Sequence, residues 1–171
     1  MPLLENGVLA EDRFAQVADD AELPADAPAL ISLARLRRDA EKLAGRNAEL
    51  GVQVGTATHP EDIADLLDRV ALVAVEFPKF RDGRGFTIAR TLRERFGYTG
   101  EIRAVGHVLP DQHGFLLRCG FSSVVVPEGA DLGPWTAALS RFHIAYQAGV
   151  DDAAPVSGLR RRLPRAEARR A

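Results

Sequence analysis

Cysteine is almost missing from this chain: Cys119 is the only one in 171 residues. A lone thiol rules out an intramolecular disulfide. It also leaves no set of thiolates for an iron–sulfur cluster or a cysteine-built zinc site within one chain. Long apolar runs are missing too, since none approaches the ~20 residues that a membrane span requires. The opening residues Met1-Pro2-Leu3-Leu4-Glu5-Asn6 lack a basic region followed by an apolar core. No signal peptide is therefore expected, and the cytoplasm is the expected location. Nucleotide fingerprints are absent as well. Nothing matches a phosphate-binding Walker loop, and Gly83-Arg84-Gly85 lacks the third glycine of a dinucleotide motif. No motif names a cofactor.

What is present is the composition of a globular protein, with 46% hydrophobic and 27% charged residues. The length suits one domain with a sizeable core. The net charge of −2 hides a strong polarity. Residues 1–30 hold seven acids against Arg13, a net of −6, and residues 157–171 hold six arginines against Glu167, a net of +5. No aromatic residue interleaves with those arginines, and the sequence pI is about 6.1, so nucleic acid is not an expected partner.

Organisation follows a βα rhythm. Residues 1–28 mix short apolar patches with acids and prolines and read as a hairpin or arm. Strands are then expected at Leu30–Leu33, Gly51–Gly55, Ala71–Phe77, Ile102–Val108 and Ser123–Val126. Helices between them are marked by apolar residues at helical spacing: Ile63, Leu66, Leu67 and Val70, then Phe86, Ala89, Leu92 and Phe96. Thr58 or His59 is the expected cap of the first of these, and residues 111–119 are expected as a short helix. A last helix has Trp135, Ala138, Leu139, Phe142 and Tyr146 on one face, and an arginine-rich, disordered tail is expected over residues 151–171. The expected fold is α/β: a five-stranded, mostly parallel sheet with flanking helices, either doubly wound or an incomplete βα barrel. An exposed strand edge or the acidic arm is a candidate surface for a homo-oligomer.

Chemistry concentrates where the third strand hands over to a helix, in Phe77-Pro78-Lys79-Phe80-Arg81-Asp82-Gly83-Arg84-Gly85-Phe86. Lys79, Arg81 and Arg84 stand before a helix N-terminus, an arrangement suited to a small oxyanion. Asp82 is a candidate proton carrier, or else simply rigidifies the turn through Arg84. His107, ending the fourth strand, is a candidate acid or base with Asp111 as its partner. The same two with His113 form a weaker metal-site reading, and Asp111 and Gln112 are equally explained as a helix N-cap and a hydrogen bond to a neighbouring loop. Glu76, at the end of an apolar strand, should face the strand-end cleft or pair with an arginine. Cys119, next to Arg118 at a helix C-terminus, reads as a buried, inert thiol.

The segment Phe77–Phe86, with Ala89-Arg90, Leu92-Arg93, Gly97-Tyr98 and Gly100–Gly106, forms a pattern that continues in Asp111-Gln112 and Leu117-Arg118-Cys119-Gly120-Phe121. In it the chain, over about residues 1–147, resembles a bacterial family of unknown function. Members of that family are described as oxidoreductases of sulfite reduction and are encoded beside genes for sulfite reductase and adenylyl-sulfate reductase. The resemblance implies a place in assimilatory sulfur metabolism, with one of those reductases as partner. Asp82, Arg84, Arg103, Asp111, Gln112, Arg118 and Cys119 occupy positions of the family pattern. The residues themselves argue against a self-contained redox enzyme. They leave three readings: an accessory protein that handles an oxyanion, a small enzyme, or an assembly module.

Overall fold

The computed structural model describes residues 1–141 and 147–150. Its strands are β1 (Leu3–Glu5), β2 (Val8–Ala10), β3 (Ala15–Gln16), β4 (Ala29–Ser32), β5 (Leu50–Gly55), β6 (Leu72–Phe77), β7 (Glu101–Gly106) and β8 (Ser123–Val125). They form one curled sheet in the order β2-β1-β8-β7-β6-β5-β4-β3. Neighbours from β3 through β8 are parallel, and β1 pairs antiparallel with both β2 and β8. The helices are α1 (Leu33–Arg38), α2 (Ala40–Leu43), α3 (Arg84–Glu94), α4 (His113–Arg118) and α5 (Gly133–Ser140), with 3-10 helices over Pro60–Arg69 and Pro110–Gln112.

The α/β class agrees with the sequence, but the strand count does not. Five expected strands correspond to β4 through β8, and three more come from the N-terminal segment. Those three are only two or three residues long, too short for alternation to be read. Asn6 and Gly7, at φ 48° and 86°, make the two-residue turn between β1 and β2. Positive φ at both central positions is what a type I′ hairpin turn requires.

Strand order from β3 to β8 follows chain order without a reversal. Right-handed crossovers that all advance one way place every helix on the same face, so there is no switch point of the doubly wound kind. The packing confirms the layering. Outward-facing Ile31, Val52, Val54, Val73, Val75, Ile102, Ala104 and Val124 share one core with Leu36, Ile63, Leu66, Ile88, Leu92, Leu116 and Trp135 from the helices. Each large aliphatic side chain buried there contributes about 1.5–3 kcal/mol. The intervening residues Leu30, Leu72 and Ala74 form a separate small core with Phe14, which the N-terminal segment lays over the concave face. The chain is therefore an α/β protein with a curled eight-stranded sheet, and its strand order lacks the reversal that marks a doubly wound fold.

Two helical expectations change in detail. Residues 60–69 are wound as a 3-10 helix, with Ile63, Leu66 and Leu67 buried. The expected helix over 111–119 divides into the 3-10 turn Pro110–Gln112 and α4, and Asp111 sits within that turn rather than at a cap. Trp135 and Ala138 of α5 are buried, while Phe142, Tyr146 and the arginine-rich tail lie outside the described residues.

Arg103 fixes the N-terminal segment to the sheet. It is buried on the concave face, 1% exposed. Nη1 donates to both carboxylate oxygens of Asp12 at 2.8 and 2.9 Å, and Nε donates to Glu101 Oε1 at 2.9 Å. Ser123 Oγ adds a hydrogen bond to the same Glu101 oxygen at 2.5 Å. The guanidinium also lies 5.8 Å from the Phe14 ring centroid. Truncating one member of such a buried group strands the others. Arg103→Ala should cost about 3–5 kcal/mol in urea unfolding, and Asp12→Asn, at the more exposed end, should cost less. A loss for Arg103→Ala under about 1 kcal/mol, the scale of a surface pair, would mean the clamp is not what holds the segment down.

Candidate functional site

In a sheet whose helices all lie on one side, the loops after the parallel strands gather at a single edge, the carboxyl edge, where βα folds place their chemistry. The loop between β6 and α3 is the best-organised of these. Asp82 is its centre. Arg84 donates to Asp82 from Nε to Oδ1 at 2.9 Å and from Nη2 to Oδ2 at 2.7 Å. Thr56 Oγ1, just past β5, donates to Asp82 Oδ2 at 2.6 Å, and the Arg84 amide approaches Oδ1 at 3.3 Å. A carboxylate in this position also meets the positive end of α3. Those bonds, the one from Arg84 foremost and that from Thr56 next, hold the Asp82 carboxyl far below the usual carboxylate range. Both Asp82 oxygens are thus engaged in bracing the loop, which favours the carboxylate form. Arg84, 63% exposed in its side chain, keeps its outer edge in solvent.

Gly85 has a packing reason. A Cβ there would lie 2.5 Å from the Phe77 ring, so its absence lets α3 close onto β6. The far side of the loop is tied to the β7–α4 connection. Gln112 Nε2 donates to the Phe80 carbonyl at 2.9 Å, and Gln112 Oε1 accepts from the Leu109 amide at 3.1 Å. The His107 ring meets Phe80 edge-on at 5.4 Å between centroids. Between these ties Lys79 and Arg81 are exposed, and among the described residues neither makes an ion pair or a side-chain hydrogen bond.

The sequence candidates therefore fall into three places. Lys79, Arg81, Asp82, Arg84, His107, Asp111 and Gln112 come from the two adjacent loops at the carboxyl edge. No hydrogen bond or ion pair among the described residues joins His107 to Asp111, which is exposed. His113 turns inward: its Nδ1 bonds the Trp135 carbonyl at 2.9 Å, and burial lowers its pKa. It does not join the other two, and no group of metal-ligating side chains occurs among the described residues.

Glu76 and Arg103 belong to the concave face. Glu76 accepts from Gln53 Nε2 at 2.8 Å rather than from an arginine. Arg118 and Cys119 lie where α4 returns to the start of β8, at the opposite edge. Arg118 donates to the Gln147 carbonyl at 2.5 Å, and the thiol is buried. Sequence reasoning missed Thr56 and Gln53. The signal for Thr56 was its place just after a strand, and for Gln53 a lone amide inside Val52-Gln53-Val54.

Replacing Asp82 tests its place in the loop. Because its folded pKa lies below the unfolded value, its contribution to stability is fully present above about pH 4. It disappears as pH falls through the depressed folded value. Asp82→Asn should therefore unfold earlier than wild type in neutral buffer, by a margin constant down to about pH 4 and shrinking in stronger acid. A variant as stable as wild type in neutral buffer would mean that Asp82 does not brace the loop.

No helix among the described residues is long and apolar enough to cross a membrane. No curated protein matches the chain. Residues 51–157, from β5 onward, match the family model described as bacterial protein of unknown function (DUF934). That stretch carries the pinned loop, the His107 connection and the α4 turn, and by it the chain belongs to this bacterial family of unknown function.

Proposed function

We propose that the protein is an accessory factor of assimilatory sulfite reduction that takes a small oxyanion on the β6–α3 loop and docks on a partner reductase. One observation carries the anion part. Lys79 and Arg81 stand exposed on a loop pinned by Asp82–Thr56 on one side and Gln112–Phe80 on the other. A loop backbone fixed in advance leaves only the side chains to be ordered on binding. The outer edge of Arg84 adds a third donor, while Asp82 occupies its inner fork. The pathway part rests on the family resemblance, and sulfite reductase or adenylyl-sulfate reductase is the partner it suggests. The accessory role is favoured over self-contained redox chemistry by the single thiol, buried at the C-terminal end of α4.

A second reading, a non-catalytic assembly module, draws on a different observation. Phe80 and Phe115 are 40% and 53% exposed, and Phe80 is flanked by Lys79 and Arg81. Aromatic and cationic side chains together are typical of binding hot spots.

Growth of a deletion strain on sulfate, sulfite or cysteine separates these readings. Wild type should restore growth on sulfate and sulfite. Lys79→Ala with Arg81→Ala should fail to do so and should bind sulfite at least about tenfold more weakly, ~1.4 kcal/mol. Phe80→Ala failing while sulfite binding is retained would select the assembly module. Normal growth of the deletion strain on all three sources would overturn the pathway assignment.

A further inference from the structure

The concave face of the sheet carries a second site, unrelated to the loop. In a closed βα barrel this face is filled by layers of branched apolar side chains. Here Phe14, Leu30, Leu72 and Ala74 fill only part of it. Nearer the carboxyl edge lie two adjoining hollows of about 570 and 450 Å³ that share Gln16, Leu30, Gln53 and Glu76 as lining. Each is the size of a small-molecule pocket.

The shared polar residues form an ordered chain. Gln16 Nε2 donates to Gln53 Oε1 at 3.1 Å, and Gln53 Nε2 donates to Glu76 Oε2 at 2.8 Å. A carboxylate only accepts, so Glu76 dictates which way the Gln53 amide faces, and Gln53 dictates Gln16 in turn. Among the described residues Glu76 Oε1 and Gln16 Oε1 have no hydrogen-bond donor. Glu76 has no cationic partner among the described residues, because the one arginine lining this groove, Arg103, is held by Asp12 and Glu101. Asp19, at the rim of the larger hollow, is oriented by a 2.7 Å bond from Ser32. The groove therefore presents oriented acceptors and an uncompensated negative charge, the complement of a donor-rich cation.

We propose that this groove binds a small organic cation, an alkyl guanidinium or primary amine, with Glu76 as its counter-ion and Gln53 and Gln16 orienting it. Leu30 supplies the apolar wall against which the alkyl chain lies.

n-Butylguanidine and n-butylurea, alike in shape but differing in charge, test the proposal by calorimetric titration into the full chain. The guanidine should bind saturably and the urea at least about tenfold more weakly, the effect of removing one charge-assisted contact. Glu76→Gln, which preserves the bond from Gln53, should lower guanidine affinity by a similar factor. Glu94→Gln on α3 removes an equal charge elsewhere and should not. In wild type, the guanidine should shift the side-chain amide resonances of Gln16 and Gln53, a readout that does not depend on any variant folding. Equal binding of the two probes, undiminished binding by Glu76→Gln, or shifts confined to other acidic residues would overturn it. Sulfite binding should survive Glu76→Gln, so failure here is distinguishable from failure of the loop assignment.

Discussion

The handedness of the βα crossover is the constraint from which the other features follow. Between β4 and β8 the chain crosses over repeatedly, always moving to the next strand in the same direction. A right-handed connection repeated without reversal has only one face on which to put its helices. That face becomes a thick apolar core, and the sheet curls. The other face is left to a short N-terminal segment, which covers part of it with Phe14 and is held by the buried Arg103. The same geometry collects the loops after β5, β6 and β7 at one edge. The groove and the pinned loop are thus two consequences of one topology, meeting at the end of β6, where Glu76 faces the concavity and Asp82 closes the loop beyond it.

Electrostatics then divide the two. In the loop the acidic group is consumed internally: Asp82 serves Arg84, Thr56 and the start of α3, and what remains on the outside is cationic. In the groove the cationic group is consumed internally, by Asp12 and Glu101, and what remains is acidic. Adjacent surfaces of opposite sign, each with its own fixed framework, make it unlike a fold whose charges merely solvate it.

Much of this was legible in the sequence. The apolar, valine-rich run Ala71–Phe77 and the regular return of strands along the chain announced a mostly parallel sheet. The charged loop after Phe77 was visible because charge and glycine followed an apolar strand. The possibility that Asp82 only braces Arg84 was also on the page, and the structure adds Thr56, which no local pattern connects to a residue 26 positions away. The N-terminal hairpin was one of two readings of residues 1–28, and β1 and β2 form it; its pairing with β8 and the strand β3 are too short and too distant to show in a local period. Arg103 was a site candidate only as a position of the family pattern, and its sequence neighbours do not say what it binds. Its partner Asp12 lies 91 residues earlier, and only the fold brings them together. The strand order within the sheet could not be read from periodicity, since a doubly wound sheet and a barrel-like one use the same strands and helices in the same chain order.

The proposed role of the β6–α3 loop is to take a small anion on its exposed cations Lys79, Arg81 and Arg84. Nuclear magnetic resonance titration of sulfite into isotope-labelled protein tests it most directly. Saturable shifts concentrated at Lys79, Phe80, Arg81 and Arg84, with the Asp82 carboxyl resonance little changed, are the predicted result. Shifts spread over unrelated surface cations such as Arg90 and Arg95, or none at all, would contradict it.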